Sequence, residues 1–413
     1  MNDAQTVVIY MLLFVSLYFE VFLLVTYLEK RIQIKYETSR KNTFFPSVSI
    51  IVPCFNEEHT VVKTIQSLLR LDYPEEKIEI IVVNDGSRDK TAQILKENFS
   101  TEKRITVLHK ENGGKYTALN YGLTHSHGEF VGCLDADSFV EPSTLSNIIS
   151  YFEDKTIMSV VPSIIVHSPS TVIQSFQQVE YQWGIFLRKV LSYLGALYVT
   201  PGPFSIFRRE IFNVIGTYTE GHKTEDLEFA LRLQKNHYRI ANAHSAYVHT
   251  VAPKTLKTLY AQRLRWTYGF LKNAFDYREL FFKKEYGHLG LFVLPMAAGT
   301  IFTTLYTVGN VIFEMLMKGV EKWVEIATVG VDISWKGFHF DWFFLNTDGI
   351  LFLSTILSVI TVLLILIGKK LAVGKMTFSR DLVYFFLLFP FITPLWLGTA
   401  IYRVAFSKKV SWR

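Results

Sequence analysis

The chain has 413 residues, of which 49% are hydrophobic and 19% are charged, a composition between that of a soluble enzyme and that of a polytopic membrane protein. Its formal net charge of +6 would suit a nucleic-acid-binding protein, but the basic residues flank apolar segments and form no single stripe or recognised nucleic-acid-binding module. The sequence therefore argues against nucleic acid as a partner and predicts a soluble domain joined to membrane segments.

The first predicted element is an apolar helix over residues 6–27, which is long enough to cross a hydrocarbon core of about 30 Å. Glu20 interrupts it, and we expect this side chain to face a polar passage or the interface because ionisable groups facing lipid are costly. The segment lacks the basic start and the small-residue cleavage site of a signal peptide. We therefore interpret residues 1–30 as a retained anchor, and the basic cluster that follows predicts a cytoplasmic domain next.

That domain, residues 31–252, begins with three strand–loop–helix units, which start with VSIIVPCFNEE, IEIIVVNDGSRD and ITVLHKENGGK. Apolar strands that alternate with helices predict an α/β fold with a doubly wound, mostly parallel sheet. Cys54 and Cys133 each end a strand-like run, so we expect a reduced domain without disulfides.

Polar residues follow the carboxyl ends of these predicted strands, where ligands bind in open α/β sheets. We therefore expect a nucleotide pocket at this edge of the sheet. The residues predicted to line its nucleotide end are Pro53, Asn56, Glu57, Asp85, Lys115 and Asp135.

Asp85 and Lys115 have specific predicted roles in that pocket. Gly86 and Ser87 after Asp85 allow a sharp turn, and we assign the Asp85 carboxylate to the nucleoside, although it could instead cap the next helix. Lys115 follows two glycines and could lie against a phosphate, although a surface loop would have the same sequence.

Asp135 and Asp137 follow the fourth predicted strand and lie two residues apart on one turn. Both carboxylates can then reach one hard cation, Mg²⁺ or Mn²⁺, which can bridge a diphosphate and stabilise leaving-group charge. The alternative is a solvated turn that caps a helix. The upstream nucleotide loops favour the metal site.

Asp226 is the candidate catalytic base, in the sequence Thr224-Glu225-Asp226 ahead of an amphipathic helix. Sugar transfer with inversion needs a carboxylate that accepts a proton from the attacking hydroxyl. We expect Glu225 to raise the proton affinity of Asp226 by like-charge repulsion. The alternative is an acidic first turn that complements the helix dipole.

The sequence QRLRW, residues 262–266, lies in a predicted interfacial region of amphipathic helices, residues 253–288. On a helix Gln262, Arg265 and Trp266 share one side. A guanidinium there can neutralise developing diphosphate charge, and the indole offers a flat face to an acceptor sugar. We place Gln262, Arg263, Arg265 and Trp266 at the acceptor and diphosphate end of the pocket. The alternative is an Arg/Trp helix that lies at the lipid surface.

Three further apolar runs, residues 289–313, 350–368 and 382–402, predict a C-terminal membrane region over residues 289–413. Pro390 and Pro394 interrupt the last run, which could therefore be a re-entrant hairpin or an interfacial helix instead of a span, and its topology stays open.

Six motifs in order now identify a resemblance: VPCFNEE, VVNDGSRD, ENGGKYTALN, CLDAD, TED and QRLRW. Together they resemble processive, membrane-integrated family 2 glycosyltransferases, such as the poly-N-acetylglucosamine, hyaluronan, chitin and cellulose synthases. The resemblance implies a GT-A type fold inserted between membrane helices. It also implies contact of Asp85 with the uracil of a UDP-sugar, and a place beside the acceptor for Gly202, whose flanking prolines depart from the family pattern.

The activity implied by the resemblance is transfer from a UDP-sugar, with UDP-N-acetylglucosamine preferred, to a growing polysaccharide that crosses the cell membrane from a cytoplasmic catalytic domain. Accessory export or regulatory subunits are further implied partners. Two alternatives stay open: transfer of one sugar to a lipid or polyprenyl phosphate, and an inactive partner subunit. The carboxylates required for chemistry are all present in the sequence, which disfavours the second.

Overall fold

The computed structural model of the chain describes residues 3–38, 42–329 and 349–406. The strands are β1 (Val48–Cys54), β2 (Ile78–Asp85), β3 (Ile105–Lys110), β4 (Phe130–Cys133), β5 (Ser138–Val140), β6 (Ile157–Val166), β7 (Ile206–Arg208) and β8 (Arg239–Thr250). The helices are α1 (Asp3–Thr38), α2 (Val61–Leu69), α3 (Thr91–Phe99), α4 (Lys115–Thr124), α5 (Thr144–Ile149), α6 (Val172–Tyr193), α7 (Glu210–Ile215), α8 (Glu225–Lys235), α9 (Leu256–Asp276), α10 (Leu294–Val329), α11 (Gly349–Val373) and α12 (Arg380–Ala405).

All eight strands form one sheet in the order β3-β2-β1-β4-β7-β6-β8-β5. The half that contains β3, β2, β1 and β4 is parallel, because helices connect its strands and cover both faces. Strand β7 runs antiparallel to β4 and β6, and β5 runs antiparallel to β8, so the sheet as a whole is mixed. The predicted α/β fold is confirmed, and the parallel half carries the loops of the predicted nucleotide pocket.

Four helices in the described part of the chain are long and apolar enough to cross a membrane: Gln5–Glu37, Leu289–Thr328, Gly349–Val373 and Arg380–Ala405. The boundary predicted at residue 30 falls inside α1. The break considered for the last segment is absent, because α12 continues through Pro390 and Pro394 as one helix. Apolar surroundings favour retention of the remaining backbone hydrogen bonds, so a proline can be accommodated within such a helix.

Helix α6 is a long element that the sequence reading did not identify. It packs against α1, α11 and α12 on one side and against β6 and β8 on the other. Two of the glutamines that interrupt its apolar pattern, Gln174 and Gln177, are buried and donate hydrogen bonds to backbone carbonyl oxygens. Gln177, for example, donates to the carbonyl oxygens of Ile173 and Pro253 at 3.0 and 2.8 Å. Because these polar residues break the apolar periodicity, the sequence does not show that the helix is buried.

A buried ion pair joins α6 to the C-terminal end of α1. Lys189, whose side chain is 1% exposed, binds Glu37 and donates to the carbonyl oxygen of Asn242 at 3.1 Å. Glu37 also accepts hydrogen bonds from the hydroxyls of Tyr151 at 2.8 Å and Tyr193 at 2.7 Å. Since each charge has several partners, this cluster fixes α1, the first long apolar helix, to the α/β domain.

Candidate active site

A cavity of about 2450 Å³ opens at the carboxyl ends of β1, β2 and β4 and extends between the long apolar helices. Its volume exceeds the range of about 300–1,000 Å³ that is typical of small-molecule sites. The predicted site residues that line it are Pro53, Glu57, Asp85, Lys115, Asp135, Asp137, Gly202, Glu225, Asp226, Gln262, Arg263, Arg265 and Trp266.

Asn56 is the predicted site residue that does not line this cavity. Its backbone is left-handed, with φ of 57°, and its side chain turns towards the loop after β2. The Asn56 side-chain oxygen accepts from the backbone N–H of Arg88 at 2.8 Å. The backbone N–H of Asn56 donates to the Ser87 hydroxyl at 3.0 Å. Asn56 therefore ties two pocket loops together, and the expected direct place in the pocket is corrected.

Asp85 shapes the nucleotide end of the cavity. Its carboxylate is 4% exposed and accepts hydrogen bonds from Lys110 at 2.6 Å and from the backbone N–H groups of Gly113 at 3.1 Å and Gly114 at 3.0 Å. The Asp85 carboxylate thus holds the glycine loop against the end of β2. A nucleoside contact would use oxygen lone pairs that these donors leave available, and that role stays a prediction.

The Lys115 ammonium lies between two carboxylates, at 2.6 Å from Asp135 and 3.1 Å from Glu225. Burial opposes its charge, but the carboxylates of Asp135, Glu225 and Asp226 outweigh burial and hold the pKa of Lys115 well above its usual value. Gly202 makes this approach possible, because a Cβ there would lie only 2.6 Å from the Lys115 nitrogen.

Asp137 carries a raised pKa of about 7 because its carboxylate is buried and faces the negative charges of Asp135 and Glu57. Two adjacent carboxylates with this electrostatic strain are suited to a divalent cation. No group of three His, Cys, Asp or Glu side chains able to hold a metal occurs in the part of the chain that the structure describes. Mg²⁺ sites commonly use one or two carboxylates plus substrate phosphates, so Asp135 and Asp137 fit such a site.

Asp226 lies in the first turn of α8, and one of its carboxylate oxygens accepts from the Leu227 N–H at 2.9 Å. Burial and the neighbouring Glu225 carboxylate raise the pKa of Asp226 to about 6, against the opposing charges of Lys115 and Arg265. A carboxyl with this pKa is mostly ionised near neutral pH and still has raised basicity, which is suited to accepting a proton.

The Arg263 side chain is buried, and its guanidinium has several partners within the protein. Its guanidinium lies 2.7 Å from the Glu180 carboxylate, donates to Gln262 at 2.9 Å and stacks 4.2 Å from the centre of the Trp266 ring. These contacts hold Arg263 against the indole of α9, and its predicted place at the acceptor and diphosphate end of the cavity stays a prediction.

Arg265 and Trp266 face the cavity from the same helix. Arg265 donates to the carbonyl oxygen of Lys223 at 2.9 Å, immediately before the Thr224-Glu225-Asp226 turn. Trp266 is 39% exposed, so its ring surface is accessible from the cavity. The helix thus brings a guanidinium and an aromatic face to the candidate base, and their substrate roles stay predictions.

Sequence reasoning missed the wall formed by α6, which contributes Glu180, Tyr181, Leu187, Arg188 and Leu191 to the cavity. These positions recur at intervals of three, four and seven residues, the spacing of one helix face. That periodicity was the available signal, and the intervening polar residues obscured it.

Comparison with known proteins agrees with this geometry. Residues 49–216 match the family model described as Glycosyl transferase family 2. Over 224 residues the chain is 31% identical to the poly-beta-1,6-N-acetyl-D-glucosamine synthase of Staphylococcus epidermidis, with 54% of each protein covered. It is 30% identical over 243 residues to the Staphylococcus aureus (strain COL) protein of the same name, covering 57% of this chain and 58% of that one. The matched region spans about half the length of these relatives.

A solved structure extends the likeness beyond the matched region. The mannosyltransferase PcManGT from Pyrobaculum calidifontis, determined in complex with GDP-Man and Mn²⁺, aligns with a TM-score of 0.58 at 18% identity. The alignment covers 96% of this chain and 99% of that one, so the two share a fold that includes the long helices. The resemblance inferred from the ordered motifs is confirmed over residues 49–216, the region that matches glycosyl transferase family 2.

Proposed function

We propose that the chain is an inverting, processive glycosyltransferase that extends a β-linked polysaccharide from a UDP-sugar, with UDP-N-acetylglucosamine as the preferred donor. The observation that carries the proposal is one continuous cavity that contains Asp135, Asp137, Asp226 and Trp266 and also reaches the long apolar helices. The similarity to poly-beta-1,6-N-acetyl-D-glucosamine synthases supports both the sugar and the polymeric product.

In the proposed reaction, an acceptor hydroxyl attacks the anomeric carbon of the donor from the side opposite the nucleotide. Asp226 accepts the hydroxyl proton, the new glycosidic bond forms, and the bond to the diphosphate breaks with its electrons on the leaving UDP. A divalent cation bound by Asp135 and Asp137 would supply Lewis-acid stabilisation of that leaving group. Arg265 adds positive charge, and Trp266 orients the acceptor by stacking.

A passage for the product is the next part of the proposal. The cavity reaches Glu20 of α1 and Thr361 of α11, whose hydroxyl donates to the Glu20 carboxylate at 2.6 Å. Polar groups within apolar helices usually face a polar space rather than lipid. We propose that the polymer leaves along this wall, with the catalytic domain in the cytoplasm and the helices in the cell membrane.

A second candidate function is transfer of a single sugar to a lipid or polyprenyl phosphate. It is favoured by the apolar cavity wall that α1 and α10 contribute, including Met11, Leu12, Val15, Ile301 and Phe302. Such a wall would accommodate a lipid tail as well as a sugar chain.

The deciding experiment uses the full-length chain in lipid nanodiscs with a panel of UDP-sugars and Mn²⁺ or Mg²⁺. We expect UDP release with UDP-N-acetylglucosamine and a ladder of products that lengthens with time, neither of which Asp226→Asn should give. One-sugar products that form only when a polyprenyl phosphate is added would establish the second function. No turnover of any UDP-sugar would contradict both.

A further inference from the structure

Arg188 of α6 is a buried cation that the proposed reaction does not use. Its Nε and Nη2 atoms are buried and have no hydrogen-bond partner among the residues that the structure describes. Burial lowers the pKa of the Arg188 guanidinium to about 10, so the group still carries its charge near neutral pH. Arg263 and Lys189, the other cations buried against α6, are paired with Glu180 and Glu37.

An unpaired charge in such a place is unfavourable. A buried charge without a partner destabilises a fold, and protein interiors normally supply a counter-ion. The acid on α1 does not fill this role: one Glu20 oxygen accepts from Thr361 and the other is buried without a hydrogen-bond partner, and no ion pair joins Glu20 to Arg188 among the described residues. Arg188 lines the cavity, so an anion bound in the cavity would lie near its charge. The structure therefore points to an anion from outside the chain.

The surroundings of Arg188 restrict which anion fits. A guanidinium presents two parallel N–H groups that match the oxygens of a phosphate. The same cavity is lined by the apolar side chains of Met11, Leu12, Val15 and Phe19 of α1, on the wall that also carries Ser16 and Glu20. A ligand that satisfies both features has a phosphate headgroup and an apolar tail.

We propose that Arg188 is a phosphate-binding site that takes the headgroup of an amphiphile whose tail lies along α1. The inference rests on the proposed function only in placing sugar transfer in this cavity. It adds an anionic subsite on α6, separate from the diphosphate site between Asp135, Asp137 and Arg265. The amphiphile would then enter the cavity beside the point where the acceptor must lie.

The test measures binding without turnover, using full-length protein in phosphatidylcholine nanodiscs and a radiolabelled polyprenyl phosphate. We expect Arg188→Gln to weaken binding at least tenfold and Arg188→Lys to weaken it less, because the lysine keeps the charge but loses the paired donors. The matched control is Arg278→Gln, an exposed arginine outside the cavity, which should bind as the unaltered protein does. A polyprenol of the same length, which lacks the phosphate, should bind all variants equally.

Thermal unfolding distinguishes loss of the phosphate contact from misfolding of the Arg188→Gln variant. Without added lipid, Arg188→Gln should unfold at the same temperature as the unaltered chain or higher, since an unpaired charge has been removed. Polyprenyl phosphate should raise the unfolding temperature of the unaltered chain and leave that of Arg188→Gln unchanged.

The remaining arms identify the source of the phosphate. Displacement of the probe by phosphatidylglycerol would support the site with a phospholipid headgroup as occupant, and no displacement would support a polyprenyl monophosphate. Unchanged binding of the probe to Arg188→Gln would overturn the proposal. So would a loss of polyprenol binding in Arg188→Gln as large as the loss of polyprenyl phosphate binding. Loss of UDP affinity with intact lipid binding would also overturn it, by assigning Arg188 to the donor. A chain that transfers no sugar would still give each of these readouts.

Discussion

Two lysines of this molecule illustrate two uses of buried charge. Lys189 and Glu37 form a closed cluster, in which tyrosine hydroxyls and a carbonyl oxygen complete the contacts of both charges. Lys115 lies in an open cluster, where one ammonium faces several carboxylates at the wall of a cavity. The closed cluster anchors a helix, whereas the open one keeps an excess of negative charge that a cation and a substrate can complete.

The difference explains why the titration behaviour is perturbed at the open cluster. Asp137 and Asp226 both have raised pKa values, in each case because burial is joined by a neighbouring carboxylate. Perturbed carboxyls grouped in a cleft are a feature of functional sites. If this contrast is right, substitutions in the open cluster should remove activity, and substitutions in the closed cluster should remove stability.

The largest expected effect on activity comes from Asp226→Asn. Loss of the proton acceptor should reduce sugar transfer by at least the roughly 10²–10⁴-fold typical of general base catalysis, while UDP affinity stays within about twofold. Single-turnover transfer and calorimetric UDP binding measure the two quantities. An Asp226→Asn protein with full activity would refute the base assignment.

Lys189→Met should have the largest effect on stability. It leaves the partly buried Glu37 carboxylate without its cation and with the hydroxyls of Tyr151 and Tyr193 as remaining partners. The unfolding temperature should therefore fall, but by less than it would for a fully buried, unpaired charge, which costs roughly 3–5 kcal/mol. Activity per folded molecule should change little, because Lys189 does not line the cavity. Adding Glu37→Gln should restore part of the lost stability, and a double variant as unstable as the single one would contradict the pairing argument.

Trp266→Ala tests whether the indole contacts the acceptor, by comparing elongation with donor hydrolysis in the same cavity. We expect elongation to fall roughly tenfold, equivalent to about 1.4 kcal/mol of lost acceptor binding, with a smaller loss of donor hydrolysis. Product length and UDP release in the same assay separate these effects. Equal loss of both would argue that the indole supports Arg263 and α9 instead of contacting the acceptor.

The smallest effect concerns pH. With the pKa of Asp226 at about 6, transfer should rise as the pH increases through about 6 and then level off. Since folding raises this pKa, the neutral carboxyl favours the folded state at low pH, and that stabilisation is lost as the pH passes about 6. Asp226→Asn should therefore unfold at a higher temperature than the unaltered chain near pH 7.5 and at a similar temperature near pH 4. A stability difference that did not change with pH would contradict the raised pKa.

Much of the fold and the open cluster could be predicted from the sequence, because local patterns encode them. Strand periodicity and the Asp135-Ala136-Asp137 turn follow from neighbouring residues, and parallel strands bring such turns to one edge. The antiparallel β7, the helix α6 and the direction of the Asn56 side chain depend on distant contacts. Arg188 and the Arg263 to Glu180 pair could not be recognised without those contacts either.

The central claim is that Asp135 and Asp137 hold a divalent cation against a sugar diphosphate. Calorimetric titration of UDP into the full-length protein, with Mn²⁺ and with chelator, tests it most directly in the unaltered chain, in Asp135→Ala and in the exposed control Asp72→Ala. We expect Mn²⁺ to strengthen UDP binding at least tenfold in the unaltered chain and in the control. Asp135→Ala should abolish this gain. A gain of the same size in Asp135→Ala would contradict it.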